Sequence, residues 1–186
     1  MSSLKQALAA IDAANSADPD QAEGIPAALL YGQRMSAELD RLFPDASDAL
    51  KVAARGQHIE RWVLKRAEFP EGREGYLTWR RTLARHHAER VGAIMADAGF
   101  DPEAIASAGQ MLRKEGLKRD SDVQALEDVI CFVFLKWYFT DFAAKHPAEK
   151  VLRIVQKSAR KMSANGRAQV LEEFDLPPAL AGAFKP

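Results

Sequence analysis

The sequence predicts an all-α protein folded as one domain, and three observations carry that prediction. Apolar residues recur at three- and four-residue intervals along most of the chain, residues that start and stop helices punctuate those runs, and no stretch keeps the two-residue alternation of a half-buried strand. With 186 residues, 47% of them hydrophobic and 28% charged, the chain has apolar material for one good-sized core. The expectation is a bundle of about seven or eight helices and no sheet.

The first helix is "SLKQALAAIDAAN", with Leu4, Leu8 and Ile11 at helical spacing, and "NSADPD" ends it as a loop. Pro26 suits the first turn of a second helix, whose stripe is Leu29, Leu30, Met35, Leu39 and Leu42; Pro44 stops it. Asp45 is placed to cap a third helix, which runs through "RGQHIERW" to Arg66 and puts Arg55, His58 and Arg61 roughly on one face. "AEFPEGREGY" reads as a loop, and from Tyr76 a long helix carries Leu83, His87, Val91, Ile94 and Met95 on one side, with Gly99 ending it. Asp101-Pro102 opens the next helix, and Gly116 closes it. "SDVQ" at 121–124 has capping-box spacing and opens a helix to Phe142 that is apolar nearly all round, the mark of a central buried helix. Pro147 starts another, Ser163 caps a short last one, and "LPPALAGAFKP" reads as a loose tail. In domain terms, 1–24 form an N-terminal helix and loop, 25–175 the core bundle and 176–186 the tail.

Bulk charge narrows the function classes. The chain carries 26 basic and 26 acidic residues, so no dominant attraction to nucleic acid or an anionic membrane is expected. No run approaches a membrane span, and "MSSLKQALAAIDAANSADPDQ" is not patterned as a secretory signal, which predicts a soluble cytoplasmic protein. A single cysteine, Cys131, excludes an internal disulfide and reads as a small core residue.

Three groups stand out as candidate chemistry. Between His58 and Arg81 the chain interleaves Arg61, Lys65, Arg66, Arg73, Arg80 and Arg81 with Trp62, Tyr76 and Trp79. Guanidinium groups take phosphate or carboxylate through paired hydrogen bonds, and aromatic faces can stack on a ring, so this segment suits a small phosphorylated or anionic ligand. The competing view is that these arginines pair with Glu60, Glu68, Glu71 and Glu74 on a solvated surface. Second, His87 shares the inward face of its helix while His86 turns away; an inward His is a core residue or, with His58, a metal ligand. Third, Glu127-Asp128 opens the most apolar helix. Glu127 is expected to reach solvent, whereas Asp128 faces inward with Ala125, Phe132 and Leu135 and needs an arginine from "RGQHIERW", hydrogen-bond donors or a metal.

"ARGQHIERW", "FPEGREGYLTWRR", "HHAERV" and "LKRDSDVQALEDVICFVFL" closely resemble a bacterial and fungal family defined as domain of unknown function 4202, over most of residues 20–175. The order His58, His87, Asp128 also resembles, more remotely, the HD-domain metal-dependent phosphohydrolases. That likeness implies a helical bundle, phosphate-ester hydrolysis on a nucleotide or small phosphorylated metabolite, and one divalent ion (zinc, manganese or iron) on His58, His87 and Asp128. It places Glu127 and Arg61 as catalytic groups and Arg55, Arg61, Arg66, Arg73, Tyr76, Trp79, Arg80 and Lys114 around the substrate. The pattern departs from that family in two places: Ile59 follows His58 where the family has Asp, and Lys114 stands where many members have His. A bundle without metal, filled by Lys114 and the arginines, would instead bind an anion or nucleotide without catalysis, and a structural or protein-interaction role completes the alternatives.

Overall fold

Side-chain oxygens mark where the helices begin. In the computed structural model, which describes residues 2–185, Ser47 accepts a hydrogen bond from the Leu50 N–H at 3.1 Å and Asp101 from Ala104 at 2.8 Å. Asp120 accepts from Asp122 and Val123, and Ser163 from Gly166 at 2.9 Å. Each satisfies a donor that the first helical turn leaves unpaired. The caps fall two residues later than Asp45 and one earlier than Ser121, the positions expected from sequence.

The described residues contain ten α-helices and pack as two compact units, one ending at Glu115 and the other beginning at Gly116. The first holds α1 (Ser3–Asn15), α2 (Ala27–Leu42), α3 (Asp48–Arg55), α4 (Gly72–Asp97) and α5 (Pro102–Arg113). The long α4 lies along α5, α3 packs on α2 and α5, and α1 lies against α2, α3 and α4. Ile11, Met35, Leu39, Leu50, Leu83, Met95 and Met111 fill the space between them, each at most 2% exposed. A fully buried side chain of this size contributes about 1.5–3 kcal/mol of transfer free energy.

A small sheet departs from the all-helical expectation. Gln21–Ala22 (β1) and Ile25–Pro26 (β2) pair antiparallel across Glu23 and Gly24, whose φ angles of 54° and 76° make the two-residue turn that matches strand twist. The hairpin is only two residues deep, too short for any alternation to register in sequence. Pro26 precedes α2 rather than opening it, and the buried Asp18 supplies the missing cap, its Oδ2 accepting from the Ala28 N–H at 2.8 Å.

The larger correction concerns "RGQHIERW". The helix ends at Arg55, with Gly56 as its cap, and residues 57–60 turn before a 3-10 turn at Arg61–Val63. A β-carbon on Gly56 would stand 2.4 Å from Val91 Cγ2, so α4 passes too close for any other residue. Asn15 Oδ1 then accepts from the Glu60 N–H at 3.1 Å and holds Glu60 at a left-handed φ of 49°. Arg55, His58 and Arg61 therefore do not share a helical face. Downstream, α4 begins at Gly72, one turn before Tyr76, and Gly75 sits directly against the Pro70 carbonyl, where a β-carbon would overlap it.

The second unit is built on α6 (Ser121–Val133), a π-helical turn at Phe134–Tyr138, α7 (Phe139–Ala144), α8 (Ala148–Lys161), α9 (Ala164–Glu173) and α10 (Pro178–Ala181). The run expected as one helix to Phe142 is thus α6 and α7 joined through the wider turn. Cys131 is buried in it, as its apolar surroundings predicted. The tail is not loose: α10 and a 3-10 turn at Gly182–Phe184 pack on α8 and bury Phe184 to 1% exposure.

Candidate anion site

Four half-buried or buried side chains of the first unit converge from different elements. His58 comes from the turn after α3, Arg61 from the 3-10 turn, and Arg80 and His87 from α4. Tyr76, Arg80, Leu83 and His87 are spaced by four, three and four residues, which aligns them along one side of that helix. The His58 and His87 rings lie 6.2 Å apart, and Tyr31 of α2 stacks on His58 at 3.8 Å with the ring planes 15° from parallel.

The guanidinium of Arg61 is fixed from below. Its Cζ lies 5.0 Å from the centre of the Trp79 ring, and the Trp79 indole N–H donates to the Leu64 carbonyl at 2.9 Å. Cation–π contact and the indole hydrogen bond together orient the arginine. Tyr76 extends the aromatic surface, its ring 5.9 Å from that of Trp79 and 46% exposed.

The electrostatics have one sign. Burial first, and then the charges of Arg61, His87, Arg80 and Lys114, push His58 well below the ordinary histidine range. His87 is pushed down to about 3, again by burial and then by Arg61, His86 and Arg80. Both rings are therefore neutral at pH 7. Arg61 itself is lowered by burial and by Arg80, with Tyr31 and Tyr76 opposing the shift. Among the described residues no carboxylate pairs with Arg61 or Arg80, and the His87 Nε2 is buried with no hydrogen-bond partner. Like charges held together without a counter-ion, beside a buried polar atom without a partner, cost stability unless something else answers them.

Of the residues singled out in the sequence, His58, Arg61, Tyr76, Trp79, Arg80, His87 and Lys114 come together here. Arg55 does not: its guanidinium makes two 2.6 Å bonds to Asp12 and ties α3 to α1. Arg66 donates to the Phe69 and Gly72 carbonyls and shapes the loop, and Arg73 is exposed at the start of α4. Glu60 pairs with Arg90 through both oxygens, at 2.7 and 2.9 Å, while the His86 Nε2 stands 3.7 Å away. Sequence reasoning missed Tyr31, which lies far from His58 along the chain and carries no local signal. It also missed that Arg80 and His87 share a face, although their spacing of two helical turns held that signal.

The carboxylates of the second unit have partners of another kind. Asp128, 3% exposed, accepts from the Ser163 N–H at 2.8 Å, the Ser163 hydroxyl at 2.5 Å and the Gln124 amide at 3.1 Å. The donors that answer Asp128 come from its own unit, at the start of α9, where the sequence suggested an arginine of "RGQHIERW". Glu127 does not reach solvent: it is 3% exposed, with Lys161 Nζ 3.3 Å from its Oε1.

The sequence profile of a family described as a domain of unknown function, DUF4202, matches residues 5–183. The chain belongs to that family. The DUF4202 match spans α1 through the tail and so takes in the arginine–histidine cluster and the Asp128–Ser163 contact alike. No curated protein and no solved structure matches the chain. Among the described residues, none of which is a membrane-length apolar helix, no group of three or more His, Cys, Asp or Glu side chains is arranged to hold a metal ion.

Proposed function

We propose that the protein binds a small phosphorylated molecule at the Arg61–Arg80 cluster. The observation that carries this is the placement of two guanidiniums beside two neutral imidazoles, one with its Nε2 buried and unpartnered, where among the described residues no carboxylate pairs with either arginine. Arg61 and Arg80 are suited to grip phosphate oxygens through charge-assisted hydrogen bonds, which are roughly twice as strong as neutral ones. The neutral His58 and His87 can each donate one N–H without adding charge. Tyr76 offers an apolar face to the rest of the ligand, beside the Trp79 ring that Arg61 covers.

Thermal unfolding with inorganic phosphate, pyrophosphate and nucleoside monophosphates tests this. A ligand present at about 100 times its Kd stabilises by about 2.7 kcal/mol, a rise in Tm of about 5 °C or more for a chain of this size. That rise is expected for the native protein and is lost in Arg61→Ala and Arg80→Ala. If none of these anions moves Tm, the proposal fails.

A hydrolytic role for the same site is the second reading, favoured by the placement of two imidazoles beside the arginines: a bound anion would offset the cations that lower them and make them better proton acceptors for an attacking water. Phosphate release from aryl phosphates, measured with and without added manganese, zinc or iron, separates it from binding alone. Release that vanishes in His58→Ala and His87→Ala supports hydrolysis. Ligand-induced stabilisation without release leaves the protein a binding module.

A further inference from the structure

We infer that the occupant of this site is a terminal phosphate monoester carried on an aromatic ring, held phosphate-inward, in preference to a phosphodiester, a sulfate ester or a carboxylate. The inference rests on the anion-binding reading above and adds the charge and the orientation of the ligand.

Charge comes first. Arg61 and Arg80 both act on His58, and among the described residues neither has a carboxylate partner. A carboxylate, a sulfate ester or a diester brings one negative charge and leaves the mutual repulsion of Arg61 and Arg80 largely in place. A phosphate monoester is mostly dianionic at pH 7.5, because its second pKa is near 6. Each added charge gains Coulomb energy against every neighbouring cation, and gains more where water is partly excluded.

Orientation follows from the order of residues along α4. His87, 4% exposed with its Nε2 buried and unpartnered, marks the inner end, and Tyr76, 46% exposed, marks the outer end. They are separated by three helical turns, about 16 Å, with Arg80 one turn inward of Tyr76, about 6 Å. A phosphate between Arg61 and Arg80 thus leaves its ring beside Tyr76, and its innermost oxygen faces His87. A diester adds a second substituent without adding charge, and so gains no more against these cations than a sulfate ester does. The aromatic half of the proposal uses the same geometry: Trp79 is already covered by Arg61, so the exposed face of Tyr76 is the surface a ring can stack on.

The experiment is isothermal titration of the full chain at pH 7.5 with phenyl phosphate, its methyl diester, phenyl sulfate and benzoate, with inorganic phosphate alongside. All four organic probes carry the same ring, so only the anionic group varies. Phenyl phosphate is expected to bind at least about tenfold more tightly than each of the other three, and more tightly than inorganic phosphate. In Arg80→Gln the preference over phenyl sulfate is expected to shrink several-fold, and Tyr76→Ala is expected to erase the advantage over inorganic phosphate. If the diester or the sulfate binds as tightly as phenyl phosphate, the inference is overturned while the anion reading stands. An undiminished preference in Arg80→Gln overturns the charge basis in the same way. If no probe and no inorganic phosphate binds, both fall together.

Discussion

The acidic pair of the second unit and the basic cluster of the first treat their buried charge oppositely. In the second, Asp128 meets three donors and Glu127 meets Lys161, so the charges taken out of water are answered from within the chain. Gly166 completes the arrangement, since a β-carbon there would stand 2.9 Å from the Asp128 carboxyl. In the first, Arg61 and Arg80 repel each other beside two neutral histidines, and the His87 Nε2 has no hydrogen-bond partner. A satisfied buried network stabilises a fold; an unsatisfied one is tolerated where binding a ligand completes it. The acidic pair that stood out in sequence thus meets donors within its own unit, and the group left without counter-charge among the described residues is the basic one.

The largest effect expected on breaking this contrast is at Asp128. Asp128→Ala removes the acceptor of the Ser163 N–H and hydroxyl and is expected to cost about 3 kcal/mol in denaturant unfolding. The phosphate-induced stabilisation should survive it. Loss of anion binding in this variant, with the fold intact, would blur the division between the two units.

The pH dependence should be set by the first unit. The folded pKa of His87, about 3, lies below its ordinary 6.5. Below pH 6.5 the unfolded chain therefore binds a proton that the folded chain refuses, and stability falls from there down to about pH 3. His87 alone contributes a loss of about 2 kcal/mol between pH 7.5 and pH 5, at about 1.4 kcal/mol per pH unit. His58, shifted in the same direction, adds to it. Denaturant unfolding of the native protein and His87→Gln at both pH values checks this. Equal slopes for the two would mean that His87 is not held neutral by the fold.

Smaller effects sharpen the comparison. Arg61→Ala is expected to weaken phosphate binding at least about tenfold, or about 1.4 kcal/mol, as read by calorimetry. Arg55→Ala, by contrast, breaks only the Asp12 pair, and is expected to lower stability by about 1 kcal/mol and leave phosphate affinity unchanged. A phosphate defect in Arg55→Ala would return that residue to the site.

Most of the helices were legible in the residues themselves. Asp101-Pro102, Pro147 and Ser163 state their helix starts locally, and the stripe Leu83, His87, Val91 fixes which side of α4 turns inward. What was not legible depends on contacts between distant segments. The end of α3 at Arg55 requires Val91 to press on Gly56 and Asn15 to hold Glu60, residues separated by more than thirty positions. The docking of Phe184 rests on one aromatic residue in a tail of small residues and prolines, which carries no periodicity. In the site, the residue types pointed to anion chemistry, but only the fold sorts Arg55, paired with Asp12, from Arg61 and Arg80, paired with no carboxylate.

The most direct test of the central claim, that an anion completes the first unit's cluster, is a heteronuclear NMR titration of the native protein with inorganic phosphate. The Trp79 indole N–H and the His58 and His87 ring resonances are expected to shift saturably together, and the Asp128-bound Ser163 amide to stay still. Saturable shifts confined to other residues, or none at all at millimolar phosphate, would contradict the account.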